Sequence, residues 1–342
     1  MGEARVLRLG RLSRVVVWRA WRRVAVALLV ALLILLASLA LGEAALSAPQ
    51  WLAALCSPGS GAGLILWQLR LPRALLGALV GAALALSGWL LQQVMRNPLA
   101  SPDTLGVTAG AATLAVGYLV FLAADVGSAW MPLAAALGAL LAVLLVMLAA
   151  WRGGTTPLRL VLMGIGLSTL LSAVTTFVLV SSPLTTTLSA YVWLTGSVYG
   201  GNWSDVGWLA ACFGVALVAL MPLVRLALLA PLDDGLAVGI GVRVQWTRTL
   251  LILLAAGLAG IAVAWGGAMA FVGLVAPHVA RRLLRQPGAA QIAMAIVVGA
   301  GMTMAADLAG RLLFPPLDLP AGLFVAAIGA PFFLGLMMKQ AR

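Results

Sequence analysis

The sequence is short of charged residues, and that shortage excludes a soluble protein. Charged residues make up 9% of the 342 residues, whereas an ordinary soluble domain has about 25%. Hydrophobic residues make up 63%, which also excludes a disordered chain, because disordered chains are poor in apolar residues. The composition therefore indicates a protein that lies in a membrane.

Histidine and cysteine are nearly absent, and so are the motifs of common enzymes. His278 is the single histidine, so neither a Ser-His-Asp triad nor a His-rich metal site can form within the chain. Cys56 and Cys212 supply neither a disulfide framework nor a zinc site. No Gly-x-x-x-x-Gly-Lys-Ser/Thr motif occurs, so the chain is not expected to bind ATP itself. We expect no metal site and no cofactor in this chain.

Nine apolar runs are long enough to cross a bilayer as helices. A helical span needs about 20 apolar residues, since the hydrocarbon core is about 30 Å thick. The runs lie at 24–42, 74–95, 104–123, 131–150, 158–180, 206–228, 249–265, 291–310 and 321–338. A further segment, 272–286, is too short and too basic to be identified by hydropathy, and is either a short tenth helix or an interfacial stretch.

The basic residues orient these helices, because cytoplasmic loops collect Lys and Arg. With the N-terminus inside and 272–286 counted as a crossing, all but three of the 21 basic residues fall on the cytoplasmic side. Nine spans would leave Lys339 and Arg342 outside. We therefore predict an all-α polytopic membrane protein of about ten helices, with both termini in the cytoplasm and a basic cytoplasmic arm at 1–23.

The same topology explains the net charge of +12 without nucleic acid, since the arm can contact anionic membrane lipid. An uncleaved first helix is preferred to a signal peptide, because the run from 24 to 41 exceeds the usual length of roughly 7–15 residues. No soluble domain is expected, and 24–342 is predicted to form one transmembrane domain.

Two rival classes of membrane protein lack their usual residues. Ion-coupled secondary transporters need buried ionisable groups. The predicted helices contain almost none, and the main exception is Asp307, near a helix end. An intramembrane enzyme needs a nucleophile, paired carboxylates or a His-Glu-x-x-His motif, and the sequence offers none of these. His278, next to Pro277, is expected to pack or to form hydrogen bonds locally. Both classes stay as less favoured alternatives.

Seven motifs, in order, resemble the FecCD/BtuC-type permeases over residues 64 to 339. They are Arg70-Leu-Pro-Arg73, the run from Gly81 to Gly88, Arg96-Asn-Pro-Leu-Ala100 with Leu105-Gly-Val-Thr-Ala-Gly110, Trp193-Leu-Thr-Gly-Ser197 with Trp203, the run from Phe271 to His278, Ala306-Asp307, and Leu319-Pro320 with Ile328-Gly-Ala-Pro-Phe332. Members of that family are the membrane subunits of ABC importers for iron–siderophore complexes, haem and cobalamin.

The resemblance implies a type II ABC importer permease fold in the inner membrane and an assembly around it. Its expected partners are a second permease copy, identical or paralogous, two ATPase subunits that bind ATP and Mg, and a periplasmic or lipid-anchored substrate-binding protein. Transport would proceed by alternating access. A ferric siderophore is the preferred substrate, with haem or cobalamin as alternatives.

The resemblance also assigns residues to three surfaces. Arg70, Arg73 and Arg311, the three outside arginines, would dock the binding protein, although Arg70 and Arg73 could instead snorkel and Arg311 could pair with Asp307 at the (i, i+4) spacing. The cytoplasmic loop at about 229–248 would couple to the ATPases through Leu232, Asp234, Ala237, Gly241, Val242 and Arg243, and its glycines predict a short or kinked helix.

The third surface is the substrate pathway. The helix break that starts at Asn97 has Ser101 placed to cap the third helix and Pro102 in its first turn. Non-helical backbone inside a membrane is tolerated only where it is buried or lines a cavity. The break is therefore either an ordinary turn or an edge of the pathway, with Asn97, Pro98, Gly106, Thr108 and Gly110 as the candidate lining residues.

Overall fold

The computed structural model describes residues 4–9, 12–42 and 47–340 and is almost entirely helical. Its two strands are β1, Ala4–Leu9, and β2, Leu12–Val17. Its helices are α1 Trp18–Ala40, α2 Ala48–Cys56, α3 Gly61–Leu64, α4 Leu71–Val94, α5 Val107–Phe121, α6 Ala123–Val126, α7 Met131–Ala150, α8 Pro157–Val180, α9 Leu184–Leu194, α10 Trp203–Leu229, α11 Asp234–Gly239, α12 Val244–Gly266, α13 Val272–Leu283, α14 Ala289–Leu312 and α15 Ala321–Gln340. A π-helical turn, Ile65–Arg70, joins α3 to α4.

The N-terminal arm differs from its predicted extent. The strands β1 and β2 pair as an antiparallel hairpin, and α1 begins at Trp18, six residues before the predicted span. Helix therefore already covers Arg19, Arg22 and Arg23. Arg11 and Arg342, both assigned to the cytoplasmic side, lie outside the described residues.

Within the described residues, seven helical stretches are long and apolar enough to cross a membrane. Two more, Val107–Phe121 and Ala321–Gly335, are apolar but shorter. The segment predicted at 272–286 forms α13, which has 12 residues. A helix of that length spans only about 18 Å at 1.5 Å per residue, so it cannot cross a bilayer alone. A total of about ten crossings stays a prediction.

Helix α4 is the centre of the bundle, and 83% of its most apolar window is buried. It packs against α12, α13 and α14. Glycines make the closest approaches possible: a Cβ added at Gly88 would lie 1.7 Å from the carbonyl oxygen of Gly273, and one at Gly81 would lie 2.2 Å from that of Gly299. Small residues allow this close packing where lipid supplies no hydrophobic drive between helices.

The chain is not helical between α12 and α13, and this break lies beside the middle of α4. Gly266 faces Val80 of α4, while Gly273 faces Leu84. Gly267 and Phe271, which bracket the break, both have positive φ, of 69° and 67°. The break leaves α13 packed beside the cytoplasmic half of α4, which accounts for its short length.

Candidate functional site

Five charged side chains from distant parts of the sequence meet at the outer end of α4. We call them the outer charge cluster: Arg70, Arg73, Asp307, Arg311 and Asp318. The π-turn and the first turn of α4 carry the first two, and the last turns of α14 carry the next two. Asp318 lies in the irregular segment that leads into α15. The three arginines that the sequence leaves outside are thus brought together.

Arg73 is the hub of the outer charge cluster. Its Nε donates to both carboxylate oxygens of Asp307, at 2.9 and 3.1 Å, and its Nη2 donates to Asp307 at 2.7 Å. Its Nη1 and Nη2 also donate to Asp318, at 2.5 and 2.8 Å. A guanidinium has five N–H donors, so these two carboxylates engage almost the whole group.

Arg311 and Arg70 fasten the cluster to the end of α1. The Nε of Arg311 lies 3.3 Å from Asp307, which is the pairing expected one turn apart, and its Nη2 donates to the hydroxyl of Ser38. The Nη1 of Arg70 donates to the carbonyls of Leu39 and Ala40, at 2.8 and 3.1 Å. Carbonyls at a helix C-terminus lack partners within the helix, so a cation there stabilises the end of α1.

All three arginines line one cavity of about 430 Å³, together with Tyr199 and Asp318. The ring of Tyr199 lies 5.3 Å from the guanidinium carbon of Arg73, within range of a cation–π contact. The cluster is largely buried, because Arg70 and Arg311 are 6% and 7% exposed and the Asp307 side chain is only 3% exposed. Three arginines against two aspartates leave the cluster a net positive charge.

The coupling loop contains α11, and its exposed surface is apolar. α11 has six residues, as short as its glycines predict, and the chain leaves it through Gly241, which has a φ of 85°. Leu236, Val238 and Ile240 are each 61–65% exposed. Such a cluster of large apolar side chains in water is typical of a protein-binding surface. The sequence signal for it was the run of apolar residues between the glycines at 235 and 241.

One of the predicted coupling residues, Ala237, faces the chain itself. Ala237 is 4% exposed and shares a depression with Leu232 and Val242. Ala237 is therefore corrected from a docking contact to an internal packing residue, because a bulky group there would clash within this chain. Gly241 and Arg243 are exposed, and Arg243 directly precedes α12.

Asp234 anchors α11 to the transmembrane helices. It accepts a hydrogen bond from Arg96, which follows α4, and its two oxygens lie 3.1 and 3.2 Å from Nη2 of Arg248 in α12. Partial burial works to raise the pKa of Asp234, but the hydrogen bond from Arg96 and the charge of Arg248 hold it below its ordinary value. Movement of α11 is thereby linked to both α4 and α12.

The predicted pathway residues divide between turn and packing positions. Asn97 accepts a hydrogen bond from the backbone of Leu99 at 2.9 Å, and Pro98 is exposed. Pro102 opens a separate 3-10 helix, Pro102–Leu105, and α5 starts only at Val107. The predicted first turn of the third helix is therefore a distinct element.

The break packs into the bundle, which corrects the glycine assignments. Gly106 adopts a left-handed conformation and faces Ser168 of α8, while Thr108 donates to the carboxylate of Asp103. A Cβ at Gly110 would lie 2.3 Å from the carbonyl of Gly138 in α7. Gly106 and Gly110 are therefore packing residues, and Asn97, Pro98 and Thr108 stay predictions as pathway residues.

Helix α8 presents a face that sequence analysis missed. Only 11% of its most apolar window is buried, yet Thr169, Ser172 and Thr176 lie on its exposed surface with Gly166 and Ala173 among them. The hydroxyls of Thr169 and Thr176 donate to carbonyls within the helix. A face of small and hydroxyl residues fits contact with protein or with a polar pathway better than contact with lipid. The three- and four-residue spacing was the available signal.

The described residues contain no group of three or more potential metal ligands. His278 accepts a hydrogen bond from Arg282 at 3.2 Å and packs edge-on against Phe332, with 5.5 Å between the ring centroids. These are contacts within α13 and with α15. The described residues therefore form a helical bundle with a charge cluster at one end and an exposed apolar surface on α11.

Comparison with known proteins identifies the family to which this helical bundle belongs. The profile of the FecCD transport family matches residues 28–339. The chain belongs to the FecCD transport family. It is 57% identical, over 99% of this chain and 98% of the relative, to the achromobactin transport system permease protein CbrC of Dickeya dadantii (strain 3937). It is 36% identical to the ferric enterobactin transport system permease protein FepG of Escherichia coli (strain K12), over 82% and 84% of the two chains.

A solved structure agrees with the fold. A protein described as a metal-chelate type ABC transporter, in an inward-facing conformation, aligns with a TM-score of 0.81 and 29% identity, over 94% of this chain and 99% of that one. This FecCD-family chain is thus a multi-pass membrane protein with the ABC importer permease fold. It is a transport subunit of such an importer and not an enzyme, which confirms the fold and the function that the motifs implied.

Proposed function

We propose that this permease moves a ferric siderophore across the inner membrane, with ferric achromobactin as the first candidate. The observation that carries the proposal is the 57% identity to an achromobactin permease, which extends over nearly the whole of both chains. No cofactor is needed in this chain, because the metal travels already chelated. ATP and Mg belong to the partner ATPases.

The proposed assembly contains two permease chains, either two copies of this one or this one with a paralogue. Two ATPase subunits lie on the cytoplasmic side, and one periplasmic or lipid-anchored binding protein lies outside. ATP binding and hydrolysis move the ATPases, and α11 transmits that movement to α4 and α12 through Asp234 and its arginine partners. The bundle then alternates between outward and inward access.

The binding protein is proposed to dock over the outer charge cluster. The net positive charge and the open cavity suit an acidic side chain, since charge complementarity governs docking rate and register. Arg73 is already paired, so an incoming carboxylate must displace Asp318 or add to the cluster beside it. Asp318 is the displaceable partner, because its side chain is 21% exposed whereas that of Asp307 is 3% exposed.

The ATPases are proposed to bind the exposed apolar residues of α11 and the turn that follows it. Leu236, Val238 and Ile240 would fill an apolar groove of the ATPase, in the way a few buried anchors dominate most interfaces. Gly241 and Arg243 lie at the edge of this surface. Leu232, Ala237 and Val242 support it from beneath, and Asp234 ties it to the bundle.

The pathway is proposed to run along the exposed face of α8 that carries Thr169, Ser172 and Thr176. A second permease chain would cover the rest of this face and complete the pore. Hydroxyl groups can exchange hydrogen bonds with a polar chelate without the cost of burying a charge. In a cysteine-free background, Thr169→Cys and Thr176→Cys are expected to react with a small thiol reagent that enters from water. Leu170→Cys provides the lipid-exposed comparison, because Leu170 is 60% exposed and lies about 100° round the helix from Thr169.

The experiment that tests the substrate is growth rescue of a strain that lacks its own permease for the siderophore. Cells that express this chain with its partners should grow on ferric achromobactin as the only iron source, and not on ferric enterobactin or ferric citrate. Rescue by haem, or cobalamin uptake without iron uptake, would assign the alternative substrates instead. Loss of rescue on deletion of the ATPase subunit is the control for the ABC mechanism.

A further inference from the structure

A long apolar groove runs between α1 and α14 on the outside of the bundle. Its cytoplasmic part encloses about 610 Å³ between residues of α1, such as Val26, Val30 and Ile34, and residues of α14, such as Met294 and Val298. A second apolar cavity of about 450 Å³ shares Val30, Ile34 and Ala305 with the first and continues to Leu313. The groove therefore follows α1 along most of its length.

The groove is deep because small residues form its floor. Gly301, Ala31 and Ala305 lie where α1 and α14 face each other, and a Cβ added at Gly301 would only come within 3.8 Å of Ala31 and Ile34. Larger side chains at these positions would fill the space. A flexible hydrocarbon chain fits a continuous channel of this shape, whereas a folded protein segment needs more width.

One end of the groove is basic and the remainder is apolar. Arg22 and Arg23, in the second turn of α1, line its cytoplasmic mouth together with Leu283. Arg23 donates to the carbonyl of Leu283 at 2.6 Å, a bond that holds its guanidinium at the mouth. Arginine carries five N–H donors, so this bond leaves donors for a phosphate. Charge at one end and hydrocarbon along the length are the features of a phospholipid.

We propose that this groove is a binding site for an anionic phospholipid of the cytoplasmic leaflet. An acyl chain lies between α1 and α14, and the phosphate of the headgroup lies against Arg22 and Arg23. Basic pockets between helices on the cytoplasmic side select anionic lipids in this way. The site is independent of the substrate pathway, which is assigned to α8.

The position of the groove allows a bound lipid to stabilise the packing of α1 against the bundle. α1 contacts the rest of the bundle chiefly through α14, and its far end is held by Arg70 and Arg311 of the outer charge cluster. A bound acyl chain fills the groove between α1 and α14, from the basic mouth to the contacts made by Arg70 and Arg311. The lipid thus stabilises the packing of α1, and its removal should lower the thermal stability of the permease.

The test is native mass spectrometry of the full-length permease with its ATPases, supplied with phosphatidylglycerol or phosphatidylcholine of identical acyl chains. Wild-type protein should retain one phosphatidylglycerol per permease chain with about 25-fold preference, since each of two basic residues adds roughly a factor of five for an anionic surface. Arg22→Gln with Arg23→Gln should abolish the preference. Arg19→Gln, on the same helix but not in the groove, is the matched control and should keep it.

A second variant tests the acyl channel separately. Gly301→Phe should block retention of both lipids and leave the arginines in place, whereas Gly117→Phe, at a helical glycine whose added Cβ meets no atom within 4 Å, should not. Equal retention of the two lipids by wild-type protein would overturn the proposal. So would unchanged retention in the Gly301→Phe variant, or a disulfide between two permease copies formed by Val30→Cys and Ala305→Cys.

Discussion

Arg73 and Asp318 form a two-point ion pair across 245 residues of sequence, with Nη1 2.5 Å and Nη2 2.8 Å from the two carboxylate oxygens. Bidentate pairing of this kind fixes both side chains in one geometry. Asp318 is also two residues before Pro320, at the entrance to α15. The pair therefore links the proposed docking surface to the last transmembrane helix, and any partner that competes for Arg73 acts on that link.

Neutralising Asp318 should strengthen docking of the binding protein. Asp318→Asn removes the carboxylate that competes for Arg73 and raises the positive charge of the outer charge cluster by one. We expect about fivefold tighter association at low salt, with a steeper loss as salt is added, because rim electrostatics chiefly change association rate and salt dependence. Surface plasmon resonance with the loaded binding protein at two salt concentrations measures both.

Asp125→Asn is the control for a change of one charge, because Asp125 is exposed in α6, on the side assigned to the exterior, and makes no ion pair among the described residues. That variant should alter affinity by less than about twofold through long-range charge alone. If Asp318→Asn instead weakens docking, Asp318 positions Arg73 for the partner and does not compete with it.

Asp307 should matter for stability more than for docking. It is nearly fully buried and contacts both Arg73 and Arg311, so Asp307→Asn leaves the buried Arg311 and the part-buried Arg73 with one carboxylate fewer. Removing one partner of a buried ion pair costs about 3–5 kcal/mol. We expect a clear fall in the thermal unfolding temperature in detergent, and a much smaller fall for the more exposed Asp318→Asn. Equal falls in the two variants would contradict this ranking.

The apolar surface of α11 should be needed for coupling. Leu236→Asp and Ile240→Asp place charges where an apolar groove of the ATPase is expected, and each should reduce siderophore uptake at least about tenfold, a loss of about 1.4 kcal/mol or more at a hot-spot residue. Membrane insertion should be normal. Arg285→Asp, exposed in the loop after α13, serves as the control for a new cytoplasmic acid.

Ala237→Glu should behave differently from these variants, because Ala237 points into the chain. It buries an unpaired carboxylate, so reduced folding yield is expected instead of selective uncoupling. Wild-type uptake by the Leu236→Asp variant, measured in the same membranes, would show that α11 is not part of the ATPase interface.

The crossing of α4 and α13 should tolerate no side chain at Gly88. Gly88→Ala would push a Cβ to within 1.7 Å of the Gly273 carbonyl, and relief by helix separation should cost about 1–3 kcal/mol. Gly117→Ala is the matched control, since its Cβ would meet no atom within 4 Å and Ala favours helix over Gly by about 1 kcal/mol. Thermal unfolding in detergent should therefore shift down for the first variant and up or not at all for the second.

Hydropathy and basic-residue counts predicted most of the helices, because the length of an apolar run can be read directly from the sequence. They missed α9, which lies in the gap at 181–205 and is too short for a span. They also started the second span at 74, although helical backbone already begins at Gly61. The segment at 272–286 was correctly singled out as unusual, since its basic residues and Pro277 are visible in the sequence.

Contacts between residues that are far apart in the sequence could mostly not be predicted from it. The Asp307–Arg311 contact follows from (i, i+4) spacing, but no spacing brings Asp318 to Arg73. Burial of Ala237 beside exposed Leu236 depends on how a six-residue helix rests on the bundle, which its glycine-rich sequence does not determine. The basic-residue count singled out the three arginines and the resemblance gave them a docking role, but the contacts of Arg73 with Asp307 and Asp318 required the structure.

The most direct test of the account is uptake into proteoliposomes that contain this permease, its ATPases and its binding protein. Radiolabelled ferric achromobactin should accumulate only when ATP and Mg are supplied on the ATPase side and the loaded binding protein is present on the other side. A proton gradient without ATP should drive no uptake. Accumulation driven by the gradient alone, with the ATPases omitted, would contradict the assignment and identify an ion-coupled transporter instead.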